Sequence, residues 1–270
     1  MTAAIRDILV HLDAPETVGS LVPAAVQLAR DLGASGLTLA ALAEVPVPIR
    51  PVSLPYGLLK AQERDLLDLI DRMETRARAA APDMPIEWRG AVSPLAQTLL
   101  ARWGVRSDLI VMSSPQVEGL PLAPVDVGAA ILAAGRPVLV APRLAPKLRF
   151  DRVLIGFKAT REGRAALAAA LPLLDRARRV LIASVGPAAA GDLRDAAAFL
   201  HGHGVRAETT AIENAADRDA GRTLLALAGE ERSDLLVTGA YGHSRTRELV
   251  FGGVTRTLLT EARLPCLMVH

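Results

Sequence analysis

The sequence predicts an α/β protein built from two doubly wound domains, each a parallel sheet with helices on both faces. Three observations predict this fold: short apolar runs alternate with helical segments, the runs lack polar alternation, and the pattern repeats within the 270 residues. Apolar runs without alternation are typical of strands covered on both faces. Strands that alternate with helices form parallel sheets through right-handed crossovers.

The repeat indicates where the two domains lie. Three segments of the first half recur in the second: RDILV at 6–10 as DRVLI at 151–155, RSDLIVM at 106–112 as RSDLLVT at 232–238, and PVLV at 137–140 as PCLMV at 265–269. Two copies of this length suit two ordinary domains, predicted at 1–145 and 146–270. The predicted join contains two prolines, Pro142 and Pro146, which interrupt regular structure.

Each domain is predicted to contain five strands and four helices. The predicted strands lie near 6–12, 36–45, 86–92, 108–113 and 137–141, then near 152–157, 179–185, 205–212, 234–239 and 266–270. The predicted helices lie near 17–32, 57–80, 94–104 and 124–134, then near 162–176, 191–202, 217–231 and 253–262. Gly202 and Gly204 suit a helix C-terminal cap.

A glycine-containing loop is the main candidate site. Gly239, Gly242, Gly252 and Gly253 lie between a predicted strand and a predicted helix start. Backbone N–H groups and the helix dipole favour an anion at such a place. The spacing matches neither a Walker loop nor the dinucleotide fingerprint. A purely structural interpretation stays open, in which the glycines make a turn and a close helix–sheet contact.

The spacing Gly-x2-Gly-x9-Gly-Gly resembles the universal stress protein family, whose ATP-binding members carry Gly-x2-Gly-x9-Gly-Ser/Thr after the fourth strand. Gly253 stands where that family has a hydroxyl residue. The resemblance implies strand order 3-2-1-4-5 in both domains and contact between the two fifth strands in an internal pseudo-dimer. It also implies an adenine nucleotide such as ATP, with Val185 giving backbone contacts to the base. The residues expected to hold ribose and phosphates are Gly239, Gly242, Gly252, Gly253 and Thr255, and Val254 is expected to belong to the same nucleotide site.

The two domains depart from the family site in opposite ways. In the first, Asp13 matches the family's acidic residue, but the loop that begins at Ser113 lacks the glycines, so Asp13 and Ser113 mark a relic site. In the second, the glycines are kept and Lys158 replaces the acid. Three interpretations of Lys158 stay open: it reaches a phosphate, it pairs with an acid and fills the site, or it is simply exposed to solvent.

Composition excludes several classes of function. A single cysteine, Cys266, excludes a disulfide framework and a Cys-based zinc site. A net charge of +2 with only 3% aromatic residues argues against a nucleic-acid partner. No apolar run reaches the roughly 18 residues of a membrane span, and the N-terminal residues do not predict a signal peptide. We therefore expect a cytoplasmic protein.

The predicted activity is nucleotide binding without catalysis. The sequence offers no convincing general base and no metal-ligand set, so slow ATP hydrolysis is the most that is expected, and a requirement for Mg²⁺ is undecided. An alternative from another class is a protein-interaction module of the same family that binds no nucleotide. The pairing of whole chains into a homodimer is also left open.

Overall fold

The computed structural model describes residues 4–43, 56–115, 125–143, 148–186, 190–213, 220–242 and 253–270. The predicted join near 146 and Gly252 lie outside these ranges. The described first half contains strands β1 (Asp7–Leu12), β2 (Gly36–Ala43), β3 (Ile86–Val92), β4 (Leu109–Ser113) and β5 (Val138–Ala141). Its helices are α1 (Pro15–Leu32), α2 (Tyr56–Ala80), α3 (Ala96–Trp103) and α4 (Val127–Ala134).

The second half repeats this order. Its strands are β6 (Arg152–Gly156), β7 (Arg179–Val185), β8 (Glu208–Ile212), β9 (Leu235–Gly239) and β10 (Cys266–Val269). Its helices are α5 (Arg161–Leu174), α6 (Ala190–Gly202), α7 (Ala220–Glu230) and α8 (Gly253–Glu261). β8 begins three residues later than the sequence predicts, because the preceding residues belong to the cap of α6. Gly204 there has φ +83°, and the N–H of Val205 donates to the carbonyl of Leu200.

The strands form one sheet in the order β3-β2-β1-β4-β5-β10-β9-β6-β7-β8. Within each half all neighbours are parallel and follow the order 3-2-1-4-5, so the predicted fold class is confirmed. The halves meet where β5 pairs antiparallel with β10, with Leu139 opposite Leu267. This edge-to-edge pairing is the predicted internal pseudo-dimer.

Two apolar cores cover the two faces of the sheet, and both cross the line between β5 and β10. One core lies beneath α1, α2, α5 and α6 and includes Leu139 and Leu267, which are fully buried. The other lies beneath α3, α4, α7 and α8 and includes Val138 and Cys266. Burial raises the pKa of the Cys266 thiol to about 12, so this side chain behaves as a small apolar residue. The shared cores make the two halves one packing unit.

The repeated Arg-Ser-Asp sequence has a structural role in each half. The Asp108 carboxylate accepts hydrogen bonds from the N–H groups of Arg6 and Asp7, at 2.7 and 3.1 Å. The Asp234 carboxylate accepts equivalent bonds from Asp151 and Arg152, both at 2.9 Å. These backbone groups lie at the starts of β1 and β6, where they would otherwise lack partners. The repeat therefore orients the first strand of each half against the fourth.

Candidate functional site

A cavity of about 280 Å³ opens at the carboxyl ends of the strands in the second half. It lies between β6 and β9, which are neighbours in the sheet at the topological switch point of the second half. Ligands of open α/β sheets bind at such switch points. The cavity is bounded by the ends of β6, β7 and β9, by the first turns of α5 and α8, and by part of α7. Its volume is close to the lower end of the roughly 300–1,000 Å³ of small-molecule sites.

The structure brings the predicted residues of the second half together. Seven of them line this one cavity: Lys158, Val185, Gly239, Gly242, Gly253, Val254 and Thr255. They come from four separate segments of the chain, which only the sheet order places side by side. Gly252 was predicted for the same site and lies outside the described residues.

Gly239 is required by close packing. A Cβ atom at Gly239 would lie 2.6 Å from the backbone carbon of Glu162 and 2.7 Å from the nitrogen of Gly163. The end of β9 thus rests directly on the first turn of α5. A Cβ at Gly242 would meet only side-chain atoms, the nearest being the Glu162 carboxylate at 3.0 Å. The structural interpretation of the glycines therefore holds for Gly239, and it is compatible with a ligand above the loop.

The start of the glycine loop is held in an uncommon backbone conformation. Tyr241 has φ +62°, in the left-handed region that non-glycine residues rarely occupy. Its N–H donates to the Thr255 hydroxyl at 3.4 Å, and the N–H of Ala240 donates to the carbonyl of Val269 at 2.8 Å. Thr255 thus ties the loop to α8. Such conformations persist where surrounding contacts enforce them, and they cluster at ligand sites.

Lys158 lies exposed at the mouth of the cavity. Its carbonyl accepts a hydrogen bond from the N–H of Thr160 at 2.7 Å, which closes a tight turn between β6 and α5. Within the described residues its ammonium group makes no ion pair. Of the three interpretations drawn from the sequence, an acid-paired Lys158 therefore finds no support in the described part of the chain, while plain solvent exposure fits its position. At this exposed position the ammonium group is also placed to approach an anionic ligand in the cavity.

Sequence analysis missed Glu162, whose carboxylate lines the same cavity beside Gly242. Thr160 caps α5 by accepting a hydrogen bond from the N–H of Gly163 at 3.1 Å. The carboxylate of Glu162 interacts with its own backbone N–H, then with Thr160 and His270, and these contacts hold the pKa of Glu162 below its ordinary value. Glu162 is thus an anion near neutral pH. Its signal in the sequence is the Thr-Arg-Glu-Gly run that opens the helix after the first strand.

At the carboxyl ends of β1 and β4, the corresponding place in the first half, the residues and their contacts are different. Asp13 is buried, forms an ion pair with Arg143, and accepts a hydrogen bond from the Thr17 hydroxyl at 3.3 Å. The carbonyl of Arg143 in turn accepts a bond from the Ser20 hydroxyl at 2.8 Å. Asp13 is therefore already neutralised by the protein. Ser113, the other residue of the predicted relic site, is buried at the end of β4.

Because His11 is buried, we expect the free energy of unfolding to depend measurably on pH. Burial lowers the pKa of this imidazole from 6.5 to about 4, and the nearby Asp13 charge opposes the shift only in part. Between these two values the unfolded chain binds a proton that the folded chain does not, so acid favours unfolding. We expect the free energy of unfolding to fall by about 3 kcal/mol from this group as the pH drops from 6.5 to 4.

Urea unfolding at several pH values, for wild type and His11→Gln, isolates this contribution. Carboxylates also titrate in this range, so the informative quantity is the difference between the two profiles. Wild type should lose more stability than the variant below pH 6.5. Parallel profiles would show that His11 is not buried in its neutral form.

The fold is an open, doubly wound α/β fold, with a crevice at the strand ends of its second half. The family model described as the universal stress protein family matches residues 149–270. This second half of the chain belongs to the universal stress protein family. For the first half, family membership remains a prediction from the sequence.

Solved structures share the fold over nearly the whole chain. A universal stress protein from Archaeoglobus fulgidus DSM 4304 has a TM-score of 0.69 at 13% identity, covering 97% of this chain and 95% of that one. A protein of unknown function from Pseudomonas aeruginosa PAO1 has a TM-score of 0.61 at 17% identity, covering 98% and 92%. None of the curated proteins compared with the chain matches it.

Two further findings bear on the class of site. No helix in the described ranges is long and apolar enough to cross a membrane. Among the same residues, no group of three or more His, Cys, Asp or Glu side chains is arranged to hold a metal ion.

Proposed function

We propose that the chain is a stress-response protein that binds one adenine nucleotide, ATP or a close relative, in its second half. The observation that carries the proposal is the cavity at the β6–β9 switch point, which gathers the predicted loop, helix terminus and lysine. A fold alone does not define a function, so the proposal depends on the chemistry of this cavity.

The cavity offers separate surroundings for a base and for phosphates. Ala183, Val185 and Leu224 give it an apolar side at the end of β7, suited to a planar base. Gly253, Val254 and Thr255 form the first turn of α8, where N–H groups and the helix dipole favour an anion. The exposed ammonium of Lys158 adds a mobile positive charge at the mouth.

Glu162 fits the part of a nucleotide between these two ends. A carboxylate only accepts hydrogen bonds, so it repels phosphate oxygens and attracts hydroxyl groups. The ribose hydroxyls of a nucleotide are the donors that suit it. Glu162 then supplies, from the first turn of α5, the acidic group that the family pattern places at the end of the first strand and that Lys158 replaces here.

We propose binding without catalysis as the primary activity. Glu162 is ionised near neutral pH and hydrogen-bonded within its own helix start, which does not suit a general base held near the operating pH. Slow hydrolysis is the most that this group of residues supports.

Isothermal titration of ATP into the purified protein tests the proposal. Replacing Lys158 by Ala should weaken binding about 10- to 100-fold, because a charge-assisted hydrogen bond contributes roughly 1.5–3 kcal/mol. Gly242→Asp should abolish binding, since it places a second carboxylate beside Glu162. Lys60→Ala, on α2 of the other half, is the matched control and should bind like wild type.

The same titration also has a result that would contradict the proposal. If wild type and Gly242→Asp both show no heat of binding at millimolar ATP, the nucleotide proposal fails. A protein-interaction module would then be the better account of the chain.

A further inference from the structure

The Glu162 side chain reaches from the first turn of α5 to the end of β9. A Cβ atom built at Gly239, the last residue of β9, would lie 2.9 Å from the Cβ of Glu162. One carboxylate oxygen of Glu162 would lie 3.0 Å from a Cβ built at Gly242. Because β6 and β9 are neighbours in the sheet, the carboxylate lies at the switch point where the cavity opens.

The first half shows how near this position is to the end of the first strand. When β1 is aligned with β6, Asp13 corresponds to Lys158 and Thr17 corresponds to Glu162. The Thr17 hydroxyl donates to the Asp13 carboxylate at 3.3 Å, so the two positions are in side-chain contact. In the second half a lysine stands at the first position and an acid at the second. The carboxylate has thus moved from the strand end to the helix start and stays beside the same switch point.

The Glu162 carboxylate keeps acceptor capacity for a ligand. Its own backbone N–H and the Thr160 hydroxyl donate to it, and these contacts hold the pKa of Glu162 below its ordinary value. An ionised carboxylate offers about four acceptor positions on its two oxygens and no donor. Glu162 is half-buried and lines the cavity. It can therefore accept hydrogen bonds from two neighbouring hydroxyls of one ligand.

The order of the strands places the sugar of a nucleotide beside Glu162. The apolar side suited to a base lies at the end of β7, and the helix start suited to phosphates follows β9. β6 lies between these two strands in the sheet. Since ribose links the base to the phosphates, it lies over the end of β6, where the Glu162 carboxylate faces the loop after β9.

We propose that Glu162 determines the sugar specificity of this site by accepting hydrogen bonds from the 2′- and 3′-hydroxyls of ribose. This role rests on the proposed function, because it concerns the same cavity, and it narrows the ligand class to ribonucleotides with both hydroxyls free. A nucleotide that lacks either hydroxyl, or carries an ester on it, loses one of the two charge-assisted hydrogen bonds.

ATP, 2′-deoxy-ATP and 3′-deoxy-ATP are matched probes, because they share the base and the charge and differ by one hydroxyl. Isothermal titration into the wild-type protein should show each deoxy analogue binding about 10- to 100-fold more weakly than ATP, as expected for a lost hydrogen bond to a charged group. Glu162→Ala removes the acceptor and should abolish the preference for ATP. Glu162→Gln keeps a neutral acceptor and should retain a preference of about 2- to 10-fold.

The ratio of the ATP and deoxy-ATP affinities separates specificity from folding, because partial unfolding weakens the binding of all three probes alike. Lys158→Ala is the matched control within the site. It should weaken all three probes by the same factor and leave the ratio unchanged, since Lys158 acts on the phosphates.

The titration distinguishes two kinds of failure. No binding of ATP by wild type would overturn the proposed function and the role of Glu162 together. Binding of ATP with either deoxy analogue bound as tightly would overturn the role of Glu162 alone, and so would a preference for ATP that survives Glu162→Ala.

Discussion

Replacing Gly163 by Ala is expected to lower the free energy of unfolding by about 1–3 kcal/mol and to abolish nucleotide binding. A Cβ at this position would lie 2.0 Å from the carbonyl oxygen of Lys158, which is backbone and cannot rotate away. The turn that joins β6 to α5 would have to open. That movement would displace Lys158 and Glu162, two residues that we place in the nucleotide site.

Gly229→Ala is the matched control for this experiment. Gly229 lies exposed near the end of α7, and nothing lies within 4 Å of a Cβ built there. Alanine is the better helix former, so this variant should be more stable than wild type by roughly 0.5–1 kcal/mol. Urea unfolding measures both effects. Equal stability of the two variants would mean that the turn at Lys158 is not tightly packed.

Replacing Arg143 by Met is expected to be the most destabilising change at the first half's strand ends. Removing one partner of a buried ion pair costs roughly 3–5 kcal/mol, because the other charge is left buried and unpaired. The Arg143 side chain is 19% exposed, so water can partly replace it. We therefore expect a loss of about 2–3 kcal/mol in the free energy of unfolding.

A double-mutant cycle with Asp13→Asn tests the cause of that loss. Methionine keeps the apolar stem of Arg143, so the lost charge is the main change. Once Asp13 is uncharged, the Arg143→Met substitution should cost less than half of its effect in wild type. Additive losses would show that Asp13 and Arg143 are not coupled.

The strands and helices could be predicted because each has a local signature in the sequence, such as the length and pattern of its apolar residues. Apolar runs such as Leu235–Gly239 are too short for helices and lack polar alternation, which leaves buried parallel strands as their structure. The repeated Arg-Ser-Asp run indicated two equivalent halves, and in the structure it supports the first strand of each. Among the described residues the predicted strands and helices differ from the observed ones at their ends, and a short 3-10 helix at Gly104–Arg106 was not predicted. The start of β8 moved because Val205 belongs to the cap of α6.

Some residues of the candidate site could be predicted from the sequence and others could not. The difference is whether a residue's role follows from its local sequence or from contacts with distant residues. The glycine spacing marks Gly239 and Gly242 directly. Glu162 carries no such mark, since an acid in the first turn of a helix is common and its place beside Gly242 follows from packing. The Asp13–Arg143 pair spans 130 positions, and no local pattern predicts a partner so distant.

We propose that one of two similarly folded halves binds a nucleotide and that the other does not. Native mass spectrometry of the whole chain with ATP counts bound molecules directly. We expect one ATP per chain for wild type and none for Gly242→Asp. Two ATP per chain, no ATP on wild type, or one ATP retained by Gly242→Asp would contradict it.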